Sequence, residues 1–153
     1  MIETPHVIVG AAIATAVANP ALALPLALGS HFVLDKIPHW NPHLLTETKK
    51  YGKPTGKSTL IVAADVSASL VVSLSIASLA LPDNIKALTI LAACFLAILP
   101  DVVEGPYFFL NIRPKFIEKW INFQRAFQIN TSFVPGVLTQ VVTVAVSLWW
   151  ILT

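Results

Sequence analysis

Residues 134–152, VPGVLTQVVTVAVSLWWIL, carry no charged side chain, and residues 60–81, LIVAADVSASLVVSLSIASLAL, carry one, Asp65. A helix needs about 20 such residues to cross the hydrocarbon of a bilayer, where every backbone N–H and C=O has to be satisfied within the protein. Only helices meet that condition in segments of this length. The sequence therefore predicts an all-α, polytopic integral membrane bundle. Composition agrees, with 12% charged residues and a mean hydropathy of +0.74, against about 25% charged in a soluble domain.

Turn signals divide the chain, read as one membrane domain over 1–153, into five expected membrane helices near 5–18, 20–37, 58–81, 85–99 and 134–152. Thr4 is the expected cap of the first, with Pro5 in its first turn, and Asn19-Pro20 turns the chain into the second. Pro25 is a point for a kink, and Pro38 and Pro100 read as stops. After Pro100, DVVEGPYFFL reads as a short helix or an irregular re-entrant piece. Residues 114–127 place Phe116, Trp120, Phe123 and Phe127 on one side, the pattern of an amphipathic helix lying in the membrane surface. Trp149 and Trp150 are expected interfacial anchors.

Five lysines lie between 36 and 57, and Arg113, Lys115, Lys119 and Arg125 cluster in the second polar segment. The positive-inside rule puts both segments and the N-terminus in the cytoplasm, and the NP and LPDN turns outside. MIETPHVIVG has an acid and no basic n-region, which argues against a cleavable signal peptide. The lone Cys94 excludes an internal disulfide. No basic stripe free of membrane helices exists, so nucleic acid is not an expected partner. Lys49, Lys50, Lys53 and Lys57 read as topology determinants that also draw anionic lipid headgroups or phosphates.

GSHFVLDKIPH, residues 29–39, sets His31 and Asp35 four apart on one helix face, with His39 next in the row. Folding the first two helices about Asn19-Pro20 places His6 roughly 20 Å from the turn on one arm, and His31 and Asp35 roughly 17 and 23 Å along the other. Folding about LPDN brings Asp65 and Asp101 to matching depths, roughly 27 Å each. Five ionisable groups thus gather at one level. Two imidazoles and three carboxylates cannot neutralise one another as ion pairs, whereas a divalent ion neutralises them together. The mixed nitrogen and oxygen set favours zinc, with manganese or ferrous iron as alternatives. His6, His31, Asp35, Asp65 and Asp101 are the expected metal ligands, Asp65 and Asp35 the expected catalytic groups, and His39 and Glu104 supporting residues around them.

Plainer roles compete at each position. His31 with Asp35 also reads as a hydrogen-bonded pair at a helix end, and Asp65 as a bond between helices to a serine such as Ser69. Leu-Pro-Asp occurs twice, at 81–83 and 99–101, and the copy ending in Asp83 reads as a turn and helix cap, so Asp101 also reads as a cap. His43 reads as solvated.

TPHVIVG, SHFVLD and LPDVVE together resemble the small bacterial inner-membrane proteins classed as membrane-bound metal-dependent hydrolases of the LexA-regulated type. The resemblance covers most of the length in pattern and implies an inner-membrane location and His6, His31 and Asp101 as metal ligands. His31-x-x-x-Asp35 is also similar to ligand pairs in zinc-dependent phospholipase C and nuclease-like hydrolases. The chain departs from the membrane family in lacking His-Arg followed by Thr-His-Ser, and in having PDVVE for Pro-Asp-x-Asp. The expectation is a hydrolase of phosphoesters or lipid-linked phosphates at the cytoplasmic face. The alternatives are a small proton-coupled carrier using the same Asp and His residues, or a structural membrane protein.

Overall fold

The computed structural model describes residues 1–153 and is helical throughout, without a strand. Its helices are α1 (Glu3–Ala16), α2 (Pro20–Leu34), α3 (Leu44–Tyr51), α4 (Gly56–Ser78), α5 (Asn84–Phe109), α6 (Lys115–Arg125) and α7 (Phe133–Leu152). Three of the five expected membrane helices, α4, α5 and α7, are long and apolar enough to cross a bilayer. With 14 and 15 residues, α1 and α2 fall short of the roughly 20 a span requires. The neighbours of α1 compensate: it packs against α2, α4, α5 and α7.

Small residues permit that central position. A Cβ on Gly10 would lie 2.7 Å from the Ala93 carbonyl oxygen and 2.9 Å from the Ala97 Cβ, so α1 and α5 touch nearly backbone to backbone. Ala11, Ala14, Ala93 and Cys94 are buried around the same contact. Serines divide by face on α4, where Ser69 and Ser73 are buried while Ser67 and Ser75 are exposed and bond their own helix carbonyls.

Helix ends follow the turn chemistry at three places. The Asn19 side chain accepts from Ala21 N at 2.9 Å, Thr55 Oγ1 from Ser58 N at 3.3 Å and Asp83 from Lys86 N at 3.0 Å. Thr4, the expected cap of α1, instead lies inside the helix, and Ile2 at the cap position offers no side-chain acceptor. The acceptor comes from α4: Asp65 takes the Glu3 N–H at 2.5 Å and the Thr4 N–H at 3.3 Å.

Other boundaries move for identifiable reasons. The second helix ends at Leu34 rather than Ile37, because Lys36 and Ile37 N–H groups turn back to Val33 and Leu34. Pro100 does not stop α5, which continues through Pro106 to Phe109. A proline inside a helix leaves a carbonyl without its donor and crowds the preceding turn, a cost of about 3 kcal/mol. Side chains from two other helices bind the backbone there: Trp120 Nε1 donates to Pro100 O at 2.9 Å and the His31 ring bonds Ala97 O at 2.8 Å. The two Leu-Pro-Asp copies therefore differ, one a turn and cap, the other mid-helix with Asp101 pointing into the bundle.

Within the expected polar loop, α3 forms and ends at Gly52, whose φ of +79° suits glycine. Along α6, Ile117, Ile121 and Gln124 are buried toward α5, while Phe116 and Phe123 remain 65% and 48% exposed. The expected aromatic stripe is present but divided: Phe116 faces outward, whereas Trp120, Phe123 and Phe127 pack against Phe32 of α2.

Candidate metal centre

Both arms of the α1–α2 hairpin deliver imidazoles to one point. His6 and His31 are fully buried and stack at 4.2 Å between ring centroids, 18° from parallel. The bond between the His31 Nδ1 position and the Ala97 carbonyl assigns the ring proton to Nδ1 and aims the Nε2 lone pair inward. His31 Nε2 stands 3.5 Å from Asp35 Oδ2 and 3.7 Å from Asp101 Oδ1, and His6 Nε2 stands 3.4 Å from Asp35 Oδ1.

Ligands about 2.1 Å from a tetrahedral ion are separated by about 3.4 Å, and His31 Nε2 and Asp101 Oδ1 stand at 3.7 Å. One ligand atom each from His6, His31 and Asp101 lies within 4.8 Å of the others, a group able to hold a metal ion. Two buried atoms, His6 Nδ1 and His31 Nε2, have no hydrogen-bond partner. A buried polar atom left this way costs about 1–3 kcal/mol. An ion bound at His31 Nε2 would remove one of the two deficits, so the donor set fits a divalent cation.

Comparison with family models, curated proteins and solved structures returns no match. The geometry therefore has to carry the functional reading.

The other expected residues divide clearly. Asp35 is 1% exposed and lies among three histidines, and it also accepts from the Met1 ammonium, which is 3.3 Å from His6 Nε2. His39 does not extend the helical row, since α2 has already ended. Its backbone instead pairs with the segment before α7, with His39 N donating to Ile129 O at 3.0 Å and Thr131 N to His39 O at 2.9 Å. That pairing returns its Nε2 to 3.7 Å from Asp35. Burial, reinforced by the Met1 ammonium, pushes the His39 imidazole down to about 4. It is therefore neutral at pH 7.

Asp65 sits on the start of α1, accepting from Thr4 Oγ1 at 2.6 Å in addition to the two backbone N–H groups. It is adjacent to the centre without facing it. Glu104 is held through Gln124, whose Nε2 donates to Glu104 Oε1 at 2.6 Å and to Asp101 Oδ1 at 3.0 Å. His43 is exposed, as expected.

Two glutamines escape the sequence reading. Gln124 and Gln140 are 1% and 3% exposed. Gln140 accepts from Ile2 N at 3.1 Å and donates to Trp40 O at 3.0 Å, tying the start of α1 and the His39 loop to α7. Each has a signal in sequence, Gln140 as a polar residue inside an apolar run and Gln124 as one on the inward side of α6. Beside the centre, a cavity of about 200 Å³ is lined by Asp65, Asp101 and Glu104, by apolar Ile61 and Phe108, and by Arg125 at its rim.

Proposed function

We propose that this chain is a membrane-embedded metal-dependent hydrolase of phosphoesters, with lipid-linked phosphates as the preferred class. The observation that carries the reading is the unpartnered, fully buried His31 Nε2 facing Asp35 and Asp101. His6, His31 and Asp101 hold the ion, zinc by preference for this donor set. Bound by these three residues, such an ion would supply activation of a water molecule and polarisation of a phosphoryl oxygen. Asp35, within 3.4–3.5 Å of both imidazoles, is the group placed to take the proton. His39, bonded through Nδ1 to Ile37 O and through Nε2 to Asn41, packs beside Asp35, and Asp65 acts structurally by capping α1.

The cavity supplies the route for substrate. Its apolar wall suits an acyl or prenyl chain, and Arg125 suits a phosphate. In this reading the centre lies toward the cytoplasmic side of a bacterial inner membrane, with the basic loops and the N-terminus inside. The outward Phe116 and the lysines of α6 lie in the headgroup layer, where anionic lipids are partners.

One observation favours a second reading. The Met1 ammonium on Asp35 supplies the buried carboxylate with a cation of its own, as expected of a polar cluster that only joins helices. Elemental analysis of protein purified without chelator separates the two. The hydrolase reading expects about one zinc per chain and hydrolysis of a phosphomonoester in detergent micelles. Protein free of metal that also binds none on addition of zinc rejects it.

A further inference from the structure

We infer that a second cation, a hard oxygen-seeking one such as Mn²⁺ or Mg²⁺, binds beside the first, held by Glu104, Glu3 and a shared Asp101. The inference rests on the metal-dependent reading and extends it. Asp101 and Glu104 are three residues apart and share one face of α5. A single amide nitrogen, Gln124 Nε2, touches both carboxylates, so their oxygens are within reach of one ion. Gln124 is 1% exposed, yet its Oε1 has no partner. Rotating this amide by 180° exchanges the two Nε2 bonds for an oxygen facing both carboxylates, an arrangement that a cation would satisfy.

Glu3 points to the same conclusion from α1. Its Oε2 is buried and unpartnered, and the residue lines the same cavity as Asp101 and Glu104. Asp65, the fourth acid there, already accepts from three donors on α1. The Met1 ammonium at the cavity is taken up by Asp35, no lysine lines it, and Arg125 makes no ion pair with any of its acids. Asp101 and Glu104 thus share Gln124 as their donor, and Glu3 Oε2 has none. A cation neutralises buried acids in that state, the role a proton otherwise fills.

The chemistry of the two donor sets differs. His6 and His31 select zinc on one side of Asp101, while Glu104, Glu3 and the Gln124 amide oxygen form an all-oxygen set on the other. Two ions sharing a carboxylate clamp both the attacking and the leaving oxygen of an in-line displacement.

Titration of the chelator-stripped, detergent-solubilised full chain with Mn²⁺, followed by electron paramagnetic resonance, tests the inference. Wild type should bind two Mn²⁺ per chain and give an exchange-coupled spectrum. Glu104→Gln should bind one, with an isolated six-line signal. Its second-site affinity should fall more than about 100-fold, beyond the 10–100-fold typical of losing an outer partner. Wild type saturating at one Mn²⁺ with an uncoupled spectrum overturns the second site and leaves the first intact, whereas binding of no ion at all removes both. Should Glu104→Gln fail to fold, the wild-type stoichiometry and spectrum decide alone.

Discussion

His6 and His31 meet ring to ring at 4.2 Å, one from each arm of a hairpin closed by Asn19-Pro20. Stacking at that distance in a buried site disfavours two charged rings. Neutral rings are also the form that binds a metal. The stack is fixed from behind by the Ala97 carbonyl, a group on α5 one turn before Asp101. One helix therefore supplies a ligand and also orients another.

Replacing a ligand and replacing the base should have separable effects. His31→Ala removes a ligand atom and the bond to Ala97, and zinc affinity should fall by more than about 100-fold. Asp35→Asn leaves His6, His31 and Asp101 in place, so bound zinc should persist while turnover drops by about 10²–10⁴. Elemental analysis and phosphatase assays on the same preparations check both. Equal loss of zinc in the two variants would make Asp35 a ligand rather than the base.

Asp65 should behave as a cap. Asp65→Ala strips acceptors from the Glu3 and Thr4 N–H groups and from Thr4 Oγ1, a loss of about 0.5–2 kcal/mol at a helix N-terminus. A lower midpoint in a thermal scan, with zinc content unchanged, is the expected outcome. Loss of zinc at an unchanged midpoint would return Asp65 to the ligand set.

Much of this site was legible because a hairpin turns spacing into depth. Equal distances from Asn19-Pro20 bring His6 level with His31, and equal distances from LPDN bring Asp65 near Asp101, whatever the side chains then do. Partner choice was not legible in the same way. Asp65 and Asp101 look alike in sequence, but one falls against the open end of α1 and the other faces His31. The continuation of α5 past Pro100 is accompanied by bonds from Trp120 and His31, on other helices, to the Pro100 and Ala97 carbonyls. His39 is aimed by backbone pairing with residues 129–131, a contact that no helical periodicity predicts. The eight residues of α3 are too few for a periodic pattern to stand out from a polar loop.

Acid should loosen the junction of α3 and α4. Glu47 accepts from Thr55 N at 2.8 Å and Ser58 Oγ at 2.8 Å. Burial pushes its carboxyl up, but the bonds from Thr55 and Ser58 outweigh it and hold it below the usual glutamate range. A carboxylate with a depressed folded pKa stabilises the fold above its unfolded value, near 4.5, and that contribution is lost as pH falls through the lower folded value. Amide exchange in residues 44–58, corrected for intrinsic rates, should therefore lose protection below about pH 4.5. Glu47→Gln should show weaker protection at pH 7 and a flatter pH dependence. An unchanged pH profile in Glu47→Gln would remove Glu47 as the cause.

Two glycines in the hairpin should respond oppositely. A Cβ at Gly10 meets the Ala93 carbonyl and Ala97, whereas one at Gly29 meets nothing within 4 Å. Gly29→Ala should be neutral or stabilising by up to about 1 kcal/mol, from helix propensity alone. Gly10→Val should cost about 1–3 kcal/mol through overpacking. It should also weaken zinc binding, because the forced separation of α1 from α5 moves His6 away from Asp101, and the Ala97 carbonyl away from His31. Thermal scans and zinc titrations of the two variants side by side measure both effects. Gly10→Val with wild-type zinc affinity would mean that the contact at Gly10 holds the bundle together without setting the metal geometry.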